Sequence, residues 1–357
     1  MSASLRSGIL VSLATILCIT LMMAAQEKST LPELKVPAKA IPVPNTVSPQ
    51  LQKSIATPVS PVGEMPTTAE GWKKLQQGAD SAATKIVTGF ATMLGVKVEP
   101  VTVAGVNCYK VTPKTIAPGK EKNLLFHVHG GAFVFNGGIA GSGEAVLLAH
   151  TCQMPTLSVD YRMPPDHPFP AAPDDVLAVW KEVIKNHQPK TVVMGGTSAG
   201  AGLTMTTMLR CKQENLPMPA ALLLGTPGAD LTKTGDTVFL NAEIDHLLGR
   251  YEGRIEACLK LYANGKDLKD PMLSPVYGDL TSFPPTILIT GTRDLLLSTT
   301  ARTHRKLRAA GIPAEIHVFE GMCHAEYLTS YPSPESKECL AEIAQFFDRY
   351  LKQANGD

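Results

Sequence analysis

The feature that most constrains the fold is a regular alternation of short apolar runs with helical patterns, which begins after about residue 98. The apolar runs are nearly continuous, as is typical of strands that are covered on both faces. Strands that alternate with helices predict an α/β fold, in which a mostly parallel central sheet is flanked by helices. The predicted strands lie at 124–128, 156–161, 191–194, 220–224, 286–290 and 316–319, and the predicted helices at 144–152, 174–186, 199–214, 299–310 and 335–352.

Two segments depart from this alternation. Residues 101–111 alternate apolar and polar side chains, which predicts an early antiparallel strand. Residues 230–279 interrupt the order of strands and helices and are interpreted as an insert with helical content at 254–262.

The composition excludes two broad classes of protein. Apolar residues make up 44% of the chain and charged residues 18%, so a packed core is expected and general disorder is excluded. The 33 Lys and Arg residues against 32 Asp and Glu leave no basic excess to neutralise a phosphate backbone. We therefore expect no nucleic-acid partner.

The N-terminal segment 1–25 has the layout of a secretory signal. An apolar run at 9–25 follows a start that carries Arg6 and no acid, and it ends on the small residues Ala24 and Ala25. We expect export to the periplasm or the medium, with cleavage before Gln26. The alternative is an uncleaved N-terminal anchor, which would be the chain's only contact with a membrane.

Two further segments precede the regular pattern. Residues 26–66 are expected to form a tether or a surface arm, because eight prolines fall within 31–66. Residues 67–97 are expected to form a helical cap segment, in which a helical pattern covers 69–93. The apolar points of that pattern are Trp72, Leu75, Ile86, Phe90 and Met93.

The seven cysteines indicate neither a disulfide scaffold nor a zinc or redox site, because no pair has C-x-x-C spacing. Export would permit disulfides, although buried free thiols are expected at least as often. Cys18 lies within the apolar run, and the others are Cys108, Cys152, Cys211, Cys258, Cys323 and Cys339.

The strongest local motif is G-x-S-x-G at 196–200, between a predicted strand and a predicted helix. Gly196 and Gly200 permit a tight turn that projects Ser198 from the sheet as a nucleophile. The amide of Ala199 would lie at a helix N-terminus, where it can bind an anion. The alternative is a glycine-rich turn in which Ser198 is only a helix N-cap.

A second motif, HGGAF at 129–133, follows the strand predicted at 124–128. Acyl transfer creates a negatively charged oxygen, which needs hydrogen-bond donors already aimed at it. The small residues after His129, which are Gly130, Gly131 and Ala132, let backbone N–H groups approach closely enough to serve as these donors. The alternative is a flexible turn.

A serine nucleophile needs a base and an orienting acid, and in α/β-hydrolases the acid and then the histidine follow the serine along the chain. We expect His324 to be the base, because it lies in a loop after the strand at 316–319. Asp294 is expected to be the acid, because it follows the preceding strand. The rival histidines are His246, His304 and His317, and the rival acids are Asp270 and Glu320.

The sequence resembles the hormone-sensitive-lipase-like esterases, the bacterial family IV group of the α/β-hydrolase superfamily. That resemblance implies an α/β-hydrolase fold with an N-terminal cap, ester hydrolysis, and neither metal nor cofactor. It also implies the triad Ser198, Asp294 and His324, with oxyanion donors at the amides of Gly131, Ala132 and Ala199. The matching strings, in family order, are HGGAF at 129–133, DYRMPPDHPFPAA at 160–172, GTSAG at 196–200, DPMLSP at 270–275, GTRD at 291–294 and GMCH at 321–324.

Two positions depart from the family pattern. Ala132 replaces a third glycine, which keeps the N–H group and adds a methyl beside the pocket. Thr197 replaces an aspartate, and no chemical role is evident for it in the sequence. His127 is expected to be a buried, hydrogen-bonded histidine, and Arg162 is expected to pair with a nearby acid.

The sequence therefore predicts a serine hydrolase that cleaves small, short-acyl carboxylic esters through an acyl-enzyme intermediate. A lactonase or an aryl-amide deacetylase would use the same triad. A third alternative is a non-catalytic binding protein on this scaffold, although such receptor relatives lack the catalytic histidine, which is present here. On this interpretation residues 98–357 form the catalytic domain, with the cap insert at about 230–279.

Overall fold

The structure is a computed structural model that describes residues 36–38, 40–59 and 63–355. The expected signal segment at 1–25 lies outside the described residues, so export stays a prediction. The chain divides into a short unit, Met1–Pro42, and a large unit, Val43–Asp357, and the fold given below is that of the large unit. Within the described ranges, every helix is too short or too polar to cross a membrane.

The centre of the large unit is an eight-stranded sheet with the strand order β1-β2-β4-β3-β5-β6-β7-β8. β2 is antiparallel to both β1 and β4, and all other neighbouring strands are parallel. The mostly parallel sheet predicted from the alternation is therefore confirmed. The strands are β1 Lys97–Val103, β2 Val106–Thr112, β3 Leu124–Val128, β4 Thr156–Val159, β5 Val192–Thr197, β6 Ala221–Gly225, β7 Thr286–Gly291 and β8 Ala314–Phe319.

Helices cover both faces of this sheet. The longer helices agree with the sequence prediction to within about three residues at each end, because each either carries an apolar face or, like α3 and α5, is buried on nearly all sides. The helices are α1 Pro49–Ile55, α2 Ala69–Leu94, α3 Gly143–Cys152, α4 Ala171–Asn186, α5 Ala199–Gln213, α6 Asp236–Leu240, α7 Glu256–Ala263, α8 Leu297–Ala309, α9 Glu326–Thr329 and α10 Pro334–Asn355.

The core lies on both sides of the sheet because successive strand side chains point to opposite faces. In β3, Phe126 packs on the face covered by α4, α5, α7 and α8, where its ring meets Trp180 edge to face at 5.7 Å. Leu125 packs on the other face, which is covered by α1, α3, α9 and α10 and includes Phe347. Burial on both faces explains why the strands were nearly continuous apolar runs in the sequence.

The prediction of a single strand at 101–111 is wrong. The segment is a hairpin, in which β1 and β2 pair antiparallel around Ala104 and Gly105. Both turn residues have positive φ, 51° and 80°, as a two-residue hairpin turn requires. The antiparallel direction is confirmed. The turn was not evident in the alternating pattern, because alanine and glycine are not polar enough to mark it.

Of the two forms expected for residues 26–66, a tether or a surface arm, the tether is wrong for the part that contains α1. Ser48 caps this helix by accepting a hydrogen bond from Leu51 N at 3.2 Å, and Pro49 occupies its first turn. Leu51 and Ile55 are buried in the core beside α10. Four residues apart on one helix face, these two side chains make enough apolar contact to hold the arm against the body.

The helix predicted at 69–93 is present as α2, but its packing face differs from the one expected. Trp72 is buried, whereas Leu75, Ile86 and Met93 are exposed. The buried contacts come instead from Val87 and Ala91, with Phe90 and Leu94 beside them, against α3 and β2. Small residues form this face because the helix lies close to its neighbours.

The insert at 230–279 contains α6, α7 and a distorted π-type turn at Tyr251–Ile255. Its helical content was expected, and α7 buries Leu259 and Tyr262 in the main core. The expected partner of Arg162 is Asp175, whose carboxylate accepts three bonds from the guanidinium and one from the Arg162 backbone N–H.

Candidate active site

Ser198 occupies a strained turn between β5 and α5. Its backbone has φ 60° and ψ −121°, a conformation that L-residues rarely adopt. The turn is held on both sides, because Ser198 N donates to Gly225 O at 2.8 Å and Ser198 O accepts from Gly228 N at 2.9 Å. A strained residue fixed in this way presents its side chain at the carboxyl end of the sheet.

Gly196 and Gly200 are required by the neighbouring strand. A Cβ atom on Gly196 would lie 1.8 Å from Val128 O, and one on Gly200 would lie 2.0 Å from the same oxygen. Both glycines therefore let the serine turn pack directly against the end of β3. The GTSAG motif thus serves the turn and its contact with the HGGAF loop as well as the serine itself.

The HGGAF loop begins where β3 ends and lies against the serine turn. Gly131 has φ 116°, and a Cβ atom there would lie 2.3 Å from Phe135 O, so only glycine fits. Ala132 also has positive φ, 52°. Among the described residues, no acceptor pairs with the N–H of Gly131 or Ala132, so both remain able to donate.

Ala199, the third expected donor, is the first residue of α5. An N–H group in the first turn of a helix has no acceptor within that helix. The helix dipole adds partial positive charge at the same place. The structure therefore brings the three expected donors to the two loops that meet at Ser198.

His129 orients the HGGAF loop. Its ring stacks on Tyr161 with a centroid separation of 4.1 Å, and Nδ1 contacts Gly130 O at 2.7 Å. Tyr161 OH donates to His129 O at 2.9 Å. Burial lowers the pKa of His129 to about 4, with nearby His127 adding to the effect, so the ring is neutral at pH 7.

His324 and Asp294 contact each other at the ends of the last two strands. His324 Nδ1 lies 3.1 Å from Asp294 Oδ1, and both side chains are buried. Asp294 also accepts from Thr290 Oγ1 at 2.7 Å and from Leu296 N at 2.9 Å. In the part of the chain that the structure describes, His324 Nε2 has no hydrogen-bond partner.

Comparisons with known proteins place this chain in a family. A family model described as the alpha/beta hydrolase fold matches residues 125–328. A crystal structure of an esterase from the bacterial hormone-sensitive lipase family has a TM-score of 0.71 at 26% identity, and the match covers 85% of this chain and 99% of that one. The chain belongs to the hormone-sensitive-lipase-like esterases.

Two further relatives agree with this family. An esterase of Acinetobacter venetianus is 32% identical over 256 residues, which are 70% of this chain and 82% of the relative. The crystal structure of esterase E25 has a TM-score of 0.86 at 42% identity, and the match covers 89% of this chain and 99% of that one. The family resemblance and the carboxylic ester hydrolase class expected from the motifs are both confirmed.

Asp245 is a residue of this esterase that the sequence analysis missed. It lies in the insert, fully buried, and its Oδ2 accepts from Leu295 N at 2.8 Å and from His324 N at 3.3 Å. Its Oδ1 accepts from Leu247 N and Leu248 N. One carboxylate thus joins the insert to the loops that carry Asp294 and His324. Burial raises the pKa of Asp245, which the charge of His324 opposes and that of Asp294 reinforces.

The rival residues of the sequence analysis lie in other contacts. His304 Nε2 contacts Ala314 O at 3.2 Å, and His317 pairs with Glu342 at 2.6 Å. Asp270 accepts from Met272 N within a turn, and Glu320 is exposed. His246, the remaining rival, faces Cys323 and Glu326 rather than Asp294.

Thr197 belongs to a buried polar network beneath the serine turn. Its hydroxyl donates to Glu144 Oε1 at 2.6 Å and also contacts Tyr327 OH. Glu144 Oε2 lies 3.1 Å from His127 Nε2, and His127 Nδ1 lies 2.9 Å from Ser158 Oγ. The expectation that His127 is buried and hydrogen-bonded is confirmed. The network links the residue before Ser198 to α3 and α9.

Replacing Glu144 separates the role of its charge from the role of its oxygens. Glu144→Ala leaves the Thr197 and Tyr327 hydroxyls and the His127 ring buried without their acceptor, so we expect a loss of about 3–5 kcal/mol in the free energy of unfolding. Glu144→Gln keeps an oxygen for the hydroxyls, and the His127 tautomer can adapt, so a loss of about 1 kcal/mol is expected.

Urea unfolding at constant pH measures both values through the midpoint and the slope. Glu182→Ala, on the exposed side of α4, is the matched control and should lose less than about 0.5 kcal/mol. An equal loss in the two Glu144 variants would show that hydrogen-bond acceptance is not what the network contributes.

A narrow cleft of about 50 Å³ opens beside Ser198. Its walls are mostly apolar and include Val238, Leu259 and Leu295. One part of the lining is polar: Asp230 accepts from Arg302 at 2.6 Å and from Tyr277 OH at 2.9 Å. The cleft therefore combines an apolar body with one buried carboxylate in its lining, that of Asp230.

The first half of α2 forms hydrogen bonds with the residues that directly follow the HGGAF loop. Gln76 Nε2 donates to Val134 O at 2.7 Å, and Asp80 Oδ1 accepts from Asn136 N at 2.7 Å. Trp72 packs with Val134 and Cys258 close to Ala132.

The six cysteines in the described part of the chain are all buried and free.

Proposed function

We propose that the protein is a serine esterase in which Ser198 is the nucleophile, His324 the general base and Asp294 the orienting acid. The observation that carries the proposal is the state of His324. Its Nδ1 contacts a buried carboxylate, while its Nε2 is buried and, among the described groups, unpaired. A histidine oriented in this way keeps Nε2 available as a proton acceptor.

The reaction runs in two steps. His324 Nε2 takes the proton of Ser198 Oγ as that oxygen attacks the ester carbonyl, and Asp294 stabilises the imidazolium that forms. The N–H groups of Gly131, Ala132 and Ala199 stabilise the oxyanion. The intermediate collapses to the acyl-enzyme when His324 protonates the leaving alcohol. Water then attacks the acyl-enzyme in the same way, and the acid is released.

The lining of the cleft favours short acyl groups. Each methylene that enters apolar surroundings gains about 0.8 kcal/mol, but a chain that exceeds the space must displace packed side chains at a cost of about 1–3 kcal/mol. A longer chain would also meet the carboxylate of Asp230, which lines the cleft and gains nothing from an apolar neighbour. We propose that α2 acts as a cap segment that holds the loop of Ala132 through Trp72, while the insert supplies much of the lining of the cleft.

We expect kcat/KM for p-nitrophenyl esters to reach its maximum at about C4–C6 and to fall steeply by about C12. Initial rates are measured over the acyl series below the concentration at which the longer esters aggregate. Val238→Ala removes two methyl groups from the cleft wall and should move the maximum to longer chains. Ile86→Ala, on the exposed side of α2, should leave the series unchanged.

A maximum at long chains, together with activation at an oil–water interface, would contradict the esterase proposal and indicate a lipase. An unchanged series in Val238→Ala would show that the acyl chain does not occupy this cleft.

A further inference from the structure

A second group of ligating side chains lies beside the proposed triad and shares no residue with it. His246 belongs to the insert, Cys323 directly precedes His324, and Glu326 begins α9. One ligand atom from each lies within 4.8 Å of the other two. The only other such group in the described part of the chain is Asp245, Asp294 and His324.

The spacing within the group is compatible with that of ligands around a metal. His246 Nε2 lies 3.6 Å from Cys323 Sγ and 3.6 Å from Glu326 Oε1. The nitrogen–oxygen distance is longer than the usual hydrogen bond of about 2.7–3.2 Å, whereas the nitrogen–sulfur distance is also that of a hydrogen bond to sulfur. Tetrahedral zinc, with bonds of about 2.3 Å to sulfur and about 2.0–2.1 Å to nitrogen, places those two atoms about 3.5 Å apart.

The carboxylate of Glu326 is a second, independent indication that a cation can bind here. The side chain is fully buried, and its Oε2 accepts from Cys323 N at 2.8 Å. For Oε1, the described residues offer no hydrogen-bond partner. A buried carboxylate oxygen without a partner is costly, and a bound cation removes that cost.

We propose that His246, Cys323 and Glu326 form a binding site for a divalent cation of the zinc class. Zinc accepts this set of imidazole, thiolate and carboxylate, whereas a thiolate disfavours magnesium and calcium. Binding replaces the thiol proton of Cys323, which leaves to solvent, and the thiolate and carboxylate then balance the two charges of the cation. The side chain of His246 is 16% exposed, which gives the cation an entry path.

The site joins three parts of the esterase that are distant in sequence. His246 and Cys323 are 77 positions apart, and Ser54 Oγ of α1 lies 3.5 Å from His246 Nε2. Both ligand-bearing loops continue into the active site, since Asp245 precedes His246 and His324 follows Cys323. A bound cation therefore ties the arm and the insert to the loop of the proposed base, and it stabilises the folded chain by mass action.

Titration of the full-length, chelator-treated protein with zinc and with cobalt(II) tests this proposal. We expect one equivalent of zinc to bind by calorimetry, more tightly at higher pH, and to raise Tm. Cobalt(II) should give a thiolate-to-metal charge-transfer band. Cys323→Ser should abolish this band, and His246→Ala and Glu326→Gln should weaken binding at least about 100-fold, since even an outer partner contributes about 10- to 100-fold.

Two control variants test whether the cation binds at this group rather than elsewhere. Cys258→Ser changes a buried thiol outside the group, and it should bind as the wild type does. Asp294→Asn removes a member of the other group and should also bind normally. Because His246 is partly exposed, His246→Ala keeps the test valid if Cys323→Ser fails to fold.

Three results would overturn the proposal. Absence of zinc binding would leave the group as a contact of His246 with Cys323 and Glu326. Binding lost in Asp294→Asn but kept in Cys323→Ser would place the cation on the triad. Binding without a thiolate band would exclude Cys323 as a ligand.

Discussion

Replacing Ser198 by alanine is expected to lower kcat for p-nitrophenyl butyrate by a factor of about 10⁴ or more, with little change in KM. The variant keeps the strained turn but loses the oxygen that attacks the carbonyl. The three oxyanion donors and the cleft remain, so a residual rate above that of buffer is expected. His324→Ala should cause a loss of the same order, and the double variant should lose no more than either single one, because nucleophile and base act as a unit.

Matched variants separate this loss from a general effect on folding. His304→Ala and His317→Ala remove histidines that lie in other contacts, and both should keep nearly the full rate. Each variant is compared with the wild type by circular dichroism and by Tm. If Ser198→Ala keeps its fold and more than about a tenth of the rate, Ser198 is not the nucleophile.

The sequence was informative about the sheet because its strands are buried on both faces. Continuous apolar runs fix where such strands lie, and the helices between them fix their parallel direction. The same signal failed at Ala104 and Gly105, where a two-residue turn interrupts alternation without adding polar residues. It also failed on α2, because Val87 and Ala91 pack closely while the larger Ile86 and Met93 are exposed.

The residues of the site were predictable only where they belong to short motifs. Ser198 and His324 each lie within a string that a strand positions, so chain order sufficed to propose them. Asp245 belongs to no such string, because its partners are backbone N–H groups of loops about 50 and 79 positions further along the chain. The network around Glu144 likewise depends on contacts between α3, β5 and α9 that only the folded chain brings together.

Two buried carboxylates lie close enough to His324 to orient it, and their substitution should have different consequences. Asp294 contacts the imidazole Nδ1, whereas Asp245 accepts only from backbone N–H groups, including that of His324. In the proposed mechanism, Asp294 therefore selects the tautomer of the ring. Asp245 positions the loops on which the ring and its partner lie.

We expect Asp294→Asn to lower kcat by about 10⁴, because the amide N–H₂ group favours a ring protonated at Nε2, which cannot accept the serine proton. Tm should fall less than in Asp245→Asn, since Thr290 can still donate to the amide oxygen and only the N–H of Leu296, which shares the oxygen facing His324, loses its acceptor. Asp245→Asn should instead lower Tm, because its amide nitrogen would face backbone N–H donors, and it should lower kcat by about 10- to 100-fold through misplaced loops. Asp270→Asn, in a turn of the insert, is the control and should match the wild type in rate.

Rates and Tm values for the three variants together decide which carboxylate orients His324. If Asp245→Asn showed the 10⁴-fold loss with an unchanged Tm, while Asp294→Asn lost less than about tenfold, Asp245 would be the orienting acid. In that case the insert, rather than the loop after β7, would complete the triad.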